Sequence, residues 1–292
     1  MSPPLSSPPL GSPSLGSPSL GSQLPGSVLG RRLATAARLR IRLLRHRGDT
    51  VRCPICERGF DRFADDYDRA RALCWRCGAH ERHRAQWLLL RSRPELLNDA
   101  STLLHFAPEW ALRRRLARND QLRYVTADLQ QPGVDLHLDI TALTLPDASF
   151  DAVICSHVLE HIPDDATAMR ELRRVTSAGG WCLVMVPLDL RRTHTYEDPS
   201  ITDPQARRRA FWRPDHVRLY APDIEARLAR AGFRVERIDP LTEFGAPECR
   251  RCGIPEAEVI WLCRPESTPG SDGPSAERRP SANIPREIRS PR

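Results

Sequence analysis

The sequence contains no lysine; all 44 positions counted as Lys or Arg are arginine. That absence removes the phosphate-gripping lysine of P-loop and kinase-type sites and the amine that a Schiff-base enzyme needs. No apolar run approaches the roughly 20 residues of a membrane helix, and the chain opens with neither a basic n-region nor an apolar h-region. The expected location is therefore the cytoplasm, with no membrane span. Glycine is missing from Ser101 to Gln130, which excludes the G-x-G-x-x-G loop that a dinucleotide pyrophosphate requires. Acid is missing from the first 48 residues, which carry seven arginines, so the whole net charge of +7 resides there and the remaining chain is formally neutral. A neutral body argues against a broadly basic RNA-binding face.

What is present falls into five stretches. Residues 1–30 repeat Leu-Gly-Ser-Pro units and residues 265–292 are proline-rich; both compositions bury too little apolar surface to offset their ordering entropy, and both are expected to be disordered tails. Over 31–48, Leu33, Ala37, Ile41 and Leu44 recur at helical spacing among arginines, which predicts a basic amphipathic helix packed on the body. An acid-free, Arg-rich start also leaves an organellar transit peptide open as a second reading.

Residues 50–84 hold Cys53, Cys56, Cys74 and Cys77 in a C-x2-C-x17-C-x2-C pattern. Four thiolates at that spacing predict a closed tetrahedral zinc site, structural because no position is left for water. Two disulfides or a redox pair are the competing readings in a chain without a secretory signal. His80 and His83 follow in GAHERHR and are expected to face solvent or a partner. Cys249 and Cys252 have no second pair nearby and are expected to be free thiols near a loop, while Cys155, Cys182 and Cys263 sit in apolar strands as small core residues.

From 101 to 264 strand-like and helix-like stretches alternate: TLLHF, WALRRRLAR, LRYVTAD, VDLHLDI, FDAVICS, DDATAMRELRRVT, GWCLVMV, then PDIEARLARAG, FRVERID and EVIWLC. Such alternation predicts an α/β fold with a mostly parallel sheet, covered on both faces, that binds ligands at the carboxyl ends of its strands. Within it, Asp139, the Leu145–Asp151 turn LPDASFD and the Leu159–His161 segment LEH resemble the class I S-adenosylmethionine (SAM) dependent methyltransferases, over about residues 101–264. With GAHERHR and HFAPE, the pattern is similar to a type-11-like bacterial subgroup bearing an N-terminal four-cysteine knuckle.

The resemblance implies a Rossmann-like catalytic domain preceded by a small zinc-knuckle module, with SAM and Zn2+ as its cofactors. Asp128 would accept the ribose diol as a bidentate pair. Asp139 would meet the adenine amino group, with Ile140 packing on the ring, and Ser156 closes the next strand. Taken alone, either acid could simply cap a strand-to-helix turn. The family's glycine loop is replaced by Ala107, Pro108 and Glu109; Pro108 suits a first helical turn, and Glu109 is expected to hold the methionine ammonium. The stretch from 187 to 223 reads as a long loop on the acceptor side, with Tyr196, Glu197, Asp198, Asp215, His216, Arg218 and Tyr220 as polar candidates. His216 and His157 are the candidates for a base, and His161 is expected to be structural. The acceptor expected is a small molecule. Ribosomal RNA methylation and a non-catalytic scaffold on a degenerate fold are the alternatives.

Overall fold

The computed structural model of the chain describes residues 37–67 and 69–266; the expected tail 1–30 lies outside the described residues, as does the tail 265–292 except for its first two residues, of which Pro265 ends a strand. The chain divides into residues 1–42 and 43–292. Of the first, residues 37–42 are helical. The second opens with the helical residues 43–45 and then the strand β1 (Arg47–Arg52). The helix expected over 31–48 therefore ends at 45. Thr50 and Val51 favour a strand, and Gly48 lies against the partner strand so closely that a Cβ there would come 2.7 Å from the Asp61 amide nitrogen.

Two antiparallel hairpins build the cysteine-rich region. β1 pairs with β2 (Gly59–Phe60), and β3 (Ala64–Asp66) with β4 (Arg69–Leu73). Each C-x-x-C turn repeats one backbone design. Glu57 N–H donates to Cys53 C=O at 2.8 Å and Gly78 N–H to Cys74 C=O at 3.0 Å; the Cys53 and Cys74 amides donate to the carbonyls five residues on. In both turns the fourth residue after the first cysteine, Glu57 (φ 60°) or Gly78 (φ 67°), is left-handed, which closes the turn around the sulfurs.

The main sheet has seven strands: β5 (Thr102–Phe106), β6 (Arg123–Asp128), β7 (Leu136–His137), β8 (Phe150–Ser156), β9 (Thr176–Met185), β12 (Phe233–Ile238) and β13 (Ile260–Pro265). Their order is β12-β13-β9-β8-β5-β6-β7; β13 runs antiparallel to both neighbours and the rest are parallel. The remaining two, β10 (Tyr196–Glu197) and β11 (Arg218–Leu219), pair with each other. Strand alternation sends Val153 and Cys155 to one face and Ala152 and Ile154 to the other, all fully buried. The first face packs on the Asp165–Val175 and Ile224–Arg230 helices, which bury Ala168, Met169, Leu172, Ile224 and Leu228. Asp164 caps the Asp165–Val175 helix by accepting from the Thr167 amide at 3.0 Å, and each such buried leucine or methionine contributes about 1.5–3 kcal/mol.

The second face packs on the cysteine-rich region itself. Cys53, Ile55, Phe60, Phe63 and Cys74 share one core with Leu103, Ile154, Leu183 and Ile260, together with Ala85, Leu89 and Leu90 of the Glu81–Ser92 helix. Arg84 of that helix is fully buried. Its guanidinium donates to the carbonyls of Ala72, Ala79, Cys252 and Gly253 at 2.6–2.9 Å and lies 3.9 Å from the centre of the Phe63 ring. It thereby ties the knuckle to the Ala246–Cys252 helix. Cys249 and Cys252 are thus buried free thiols on a helix, where a loop had been expected.

Candidate functional site

Parallel strands place their ends together. Phe106 pairs in register with Ala127 of β6 and Cys155 of β8, so the residues that follow, Ala107, Asp128 and Ser156, are neighbours at one edge of the sheet. β5 and β8 are adjacent, and the chain winds outward from them in opposite directions. That is the switch point at which doubly wound sheets bind ligands. Both strands leave it through a non-glycine residue in left-handed conformation, Ala107 (φ 46°) and His157 (φ 56°), and strain of this kind collects at functional sites. Ala107 follows β5 directly, its amide tied to the Ala127 carbonyl at 2.8 Å. Pro108 is buried behind it.

Glu109 stands at the N-terminus of the Trp110–Leu116 helix in extended conformation, with its side chain turned away from capping. His105 Nε2 lies 3.1 Å from Oε2, and His83 Nε2 3.2 Å from Oε1. His105 is held in turn by the Tyr124 hydroxyl at 2.8 Å. Burial alone would push the Glu109 carboxyl up, but the facing His83 and His105 hold it well below the usual carboxylate range. Among the described residues, Oε1 of Glu109 and Nε2 of His83 are buried without an aligned hydrogen bond. His83, expected to face solvent or a partner, instead reaches the sheet edge, and beside it Gln86 donates to the Ser156 hydroxyl at 2.8 Å while its own Oε1 stays unpaired among the described residues. Neither His83 nor Gln86 was legible as a site residue, because both sit on a helix face that reads as polar.

The two acids expected at the cofactor are engaged with their own loops. Asp128 Oδ1 accepts from the amides of Gln130 and Gln131, each at 2.7 Å. Asp139 is exposed, and its Oδ1 accepts from the Thr141 amide (2.8 Å) and hydroxyl (2.7 Å), contacts that lower its pKa. Ile140 is buried in the core beside them.

On the acceptor side, the stretch from 187 to 223 is more ordered than the expected loop: it contains β10, the Pro204–Phe211 helix and β11. Of its polar candidates, Arg218, Glu197 and Tyr220 are structural. Arg218 donates to the carbonyls of Leu159 (3.1 Å), Ile162 and Pro163 (2.8 Å) and to Glu197 (2.9 Å). Tyr220 donates to Asp165 at 2.6 Å, and Arg227 bridges Asp165 and Glu197. This network fixes the segment to the Leu159–His161 turn, where Val217 N–H also donates to the Glu160 carbonyl at 2.9 Å. His216 is buried, with Nδ1 2.9 Å from the Phe211 carbonyl. His157 Nδ1 lies 3.2 Å from Glu160 Oε1, and its Nε2 is buried without a partner among the described residues.

The four knuckle sulfurs all lie within 4.8 Å of one another, with Cys53 to Cys77 and Cys56 to Cys74 each at 3.6 Å. Zinc–sulfur bonds of about 2.3 Å set tetrahedral edges of about 3.8 Å. The four cysteines are free of disulfides, so the donor set and its dimensions fit a zinc ion.

Residues 105–184 match the family model described as methyltransferase domain. The chain is 35% identical over 107 residues to a probable S-adenosylmethionine-dependent methyltransferase of Mycolicibacterium smegmatis, covering 36% of this chain and 37% of that one. It is 33% identical over 129 residues to an uncharacterized 37.1 kDa protein in a transposon of Streptomyces fradiae, covering 42% and 35%. The chain thus spans about a third of the length of these curated relatives. Among solved structures it is similar to the [4+2]-cyclase SpnF, at 16% identity and a TM-score of 0.44, covering 70% of this chain and 87% of that one. The strand order is that of a Rossmann-like class I methyltransferase fold, and the methyltransferase-domain match falls within this sheet.

Proposed function

We propose that the chain is a SAM-dependent methyltransferase acting on a small-molecule acceptor, with a structural Zn2+ in the four-cysteine knuckle. The observation that carries this reading is the switch-point edge itself: a left-handed Ala107 followed by a buried carboxylate, Glu109, with one oxygen lacking an aligned hydrogen bond among the described residues. A carboxylate oxygen met only by the unaligned His83 Nε2 at 3.2 Å suits an ammonium group. In this reading Glu109 receives the methionine ammonium, Asp128 the ribose diol through its second oxygen, and Asp139 and Ile140 border the adenine. Ala107, Pro108 and Ser156 form the close backbone wall. SAM supplies the electrophilic methyl group, and the protein's own task is to align the acceptor. In the same reading His157 Nε2 takes the acceptor's proton.

Three observations support the zinc assignment: the fit of the sulfur spacing, the absence of disulfides, and Arg84, a buried cation beside a tetrathiolate that would carry net negative charge around Zn2+. The neutral body favours a small acceptor over RNA. Calorimetry of the full chain with SAM tests the core of the proposal. Glu109→Gln should weaken binding about 10- to 100-fold, the worth of one charge-assisted hydrogen bond. His157→Asn should lower turnover with SAM affinity unchanged. An absence of heat at millimolar SAM would leave the scaffold alternative standing.

A further inference from the structure

The turn that follows β8 brings together three metal-ligating side chains that the methyl-transfer site does not use. Glu160, His161 and His216 each offer one ligand atom, and these atoms lie within 4.8 Å of one another. Glu160 is fully buried, and neither of its carboxylate oxygens has an aligned hydrogen bond among the described residues. His157 Nδ1 stands 3.2 Å from Oε1, which leaves Oε2 without a partner among the described residues, and a buried carboxylate oxygen in that condition is costly unless something positive meets it.

The two imidazoles are oriented as metal-binding histidines usually are, through a hydrogen bond at the other ring nitrogen. His216 Nδ1 faces the Phe211 carbonyl at 2.9 Å, and His161 Nδ1 faces the Asp215 carbonyl at 3.2 Å and carboxylate at 3.4 Å. Nε2 is thus the nitrogen left for a ligand on each ring. The rings are nearly perpendicular (85°) with centroids 4.8 Å apart, an edge-to-face pair. The scaffold is rigid, since Arg218 and the Val217 amide hold the 159–163 turn to the segment carrying His216.

We propose that Glu160, His161 and His216 form a second metal site, for a divalent transition metal that accepts imidazole and carboxylate ligands. Three protein ligands leave a coordination position open, the pattern of a catalytic and not a structural metal. His216 is then a ligand and does not serve as a free base. The chemistry separates this site from the all-sulfur knuckle, and the assignment stands independently of SAM binding.

Metal content of the full-length chain after equilibrium dialysis against Zn2+ tests the site. The expected result is two equivalents per chain for the parent protein and one for Glu160→Gln, His216→Ala and His161→Ala. His161 is about a third exposed, so its variant is the one whose folding is least at risk; circular dichroism checks all three. Cobalt substitution should show the thiolate charge-transfer band of the knuckle in every variant, with the weaker nitrogen–oxygen d–d bands lost only in these three. A single equivalent in the parent at saturating Zn2+, or two equivalents retained in folded His161→Ala, would overturn the proposal.

Discussion

Arg84→Met removes the guanidinium that joins the knuckle to the Ala246–Cys252 helix while keeping a flexible apolar stem of similar reach. Four carbonyls now accept from Arg84. The Ala79 carbonyl keeps a second donor, the Cys74 amide at 2.9 Å, so the substitution strands mainly Ala72, Cys252 and Gly253. Each buried acceptor left unpaired costs about 1–3 kcal/mol. The desolvation of a buried cation, relieved by the change, offsets part of that sum. The net expected loss is about 3–5 kcal/mol, as for other broken buried charge networks. At about 2–4 °C per kcal/mol for a domain of this size, the melting temperature should fall by roughly 6–20 °C. Arg84→Lys keeps the charge but replaces a planar fork with a point donor, and should lose about half as much. The assay is urea unfolding followed through its midpoint at constant m-value. If Arg84→Met unfolds within about 1 kcal/mol of the parent, the guanidinium is not the joint described above.

Ala107→Gly relieves a left-handed alanine and should leave stability unchanged or raise it by up to about 1 kcal/mol, with SAM affinity retained, as measured by thermal unfolding and calorimetry. Gly253→Ala should cost about 1–3 kcal/mol in the same unfolding assay, because φ is 60° and the new Cβ would lie 2.7 Å from Phe63 ring carbons. Burial, then the charge of Arg82, pushes the His80 pKa down to about 3, and burial lowers that of His83. The unfolded chain protonates the His80 ring near pH 6.5 while the folded chain does so only near pH 3, so stability should be level above pH 6.5 and fall by up to about 1.4 kcal/mol per pH unit as pH drops toward 3. His80→Asn should remove one such increment from the slope of stability against pH. Cys77→Ser should abolish the thiolate-to-cobalt band and expose the 47–80 region to proteolysis.

The parts of the fold that were legible are those whose pattern repeats. FDAVICS reads as a strand and forms one over the same residues, Phe150–Ser156; the four cysteines declare their cluster through spacing alone. What escaped lacks periodicity or reverses it. The Glu81–Ser92 helix buries His83, Arg84 and Gln86 beside Leu89 and Leu90, so a hydrophobic-face argument points the wrong residues inward. Glu160 lies in a three-residue turn, too short for any pattern to mark its acid as buried. The 187–223 segment looked like a loop because its elements are short and its order comes from Arg218 and Arg227 reaching across to Asp165 and Glu197, pairings that only the tertiary structure creates.

The position of the knuckle changes what a structural zinc ion would do here. A separate module could lose its metal and leave the catalytic domain intact. In this chain Cys53, Ile55, Phe60, Phe63 and Cys74 supply part of the core on one face of the sheet. The helix that follows them carries His83 to Glu109 and Gln86 to Ser156, at the two strand ends that flank the switch point. Arg84, from the same helix, closes the path back to Cys252 and Gly253. Loosening the knuckle therefore shifts the residues that set the charge state and position of Glu109 before it touches the sheet. Loss of the metal from the four-cysteine site should weaken SAM binding at a temperature where far-UV dichroism still reports an intact sheet; full SAM affinity in a zinc-depleted chain would show that the helix is held without the metal.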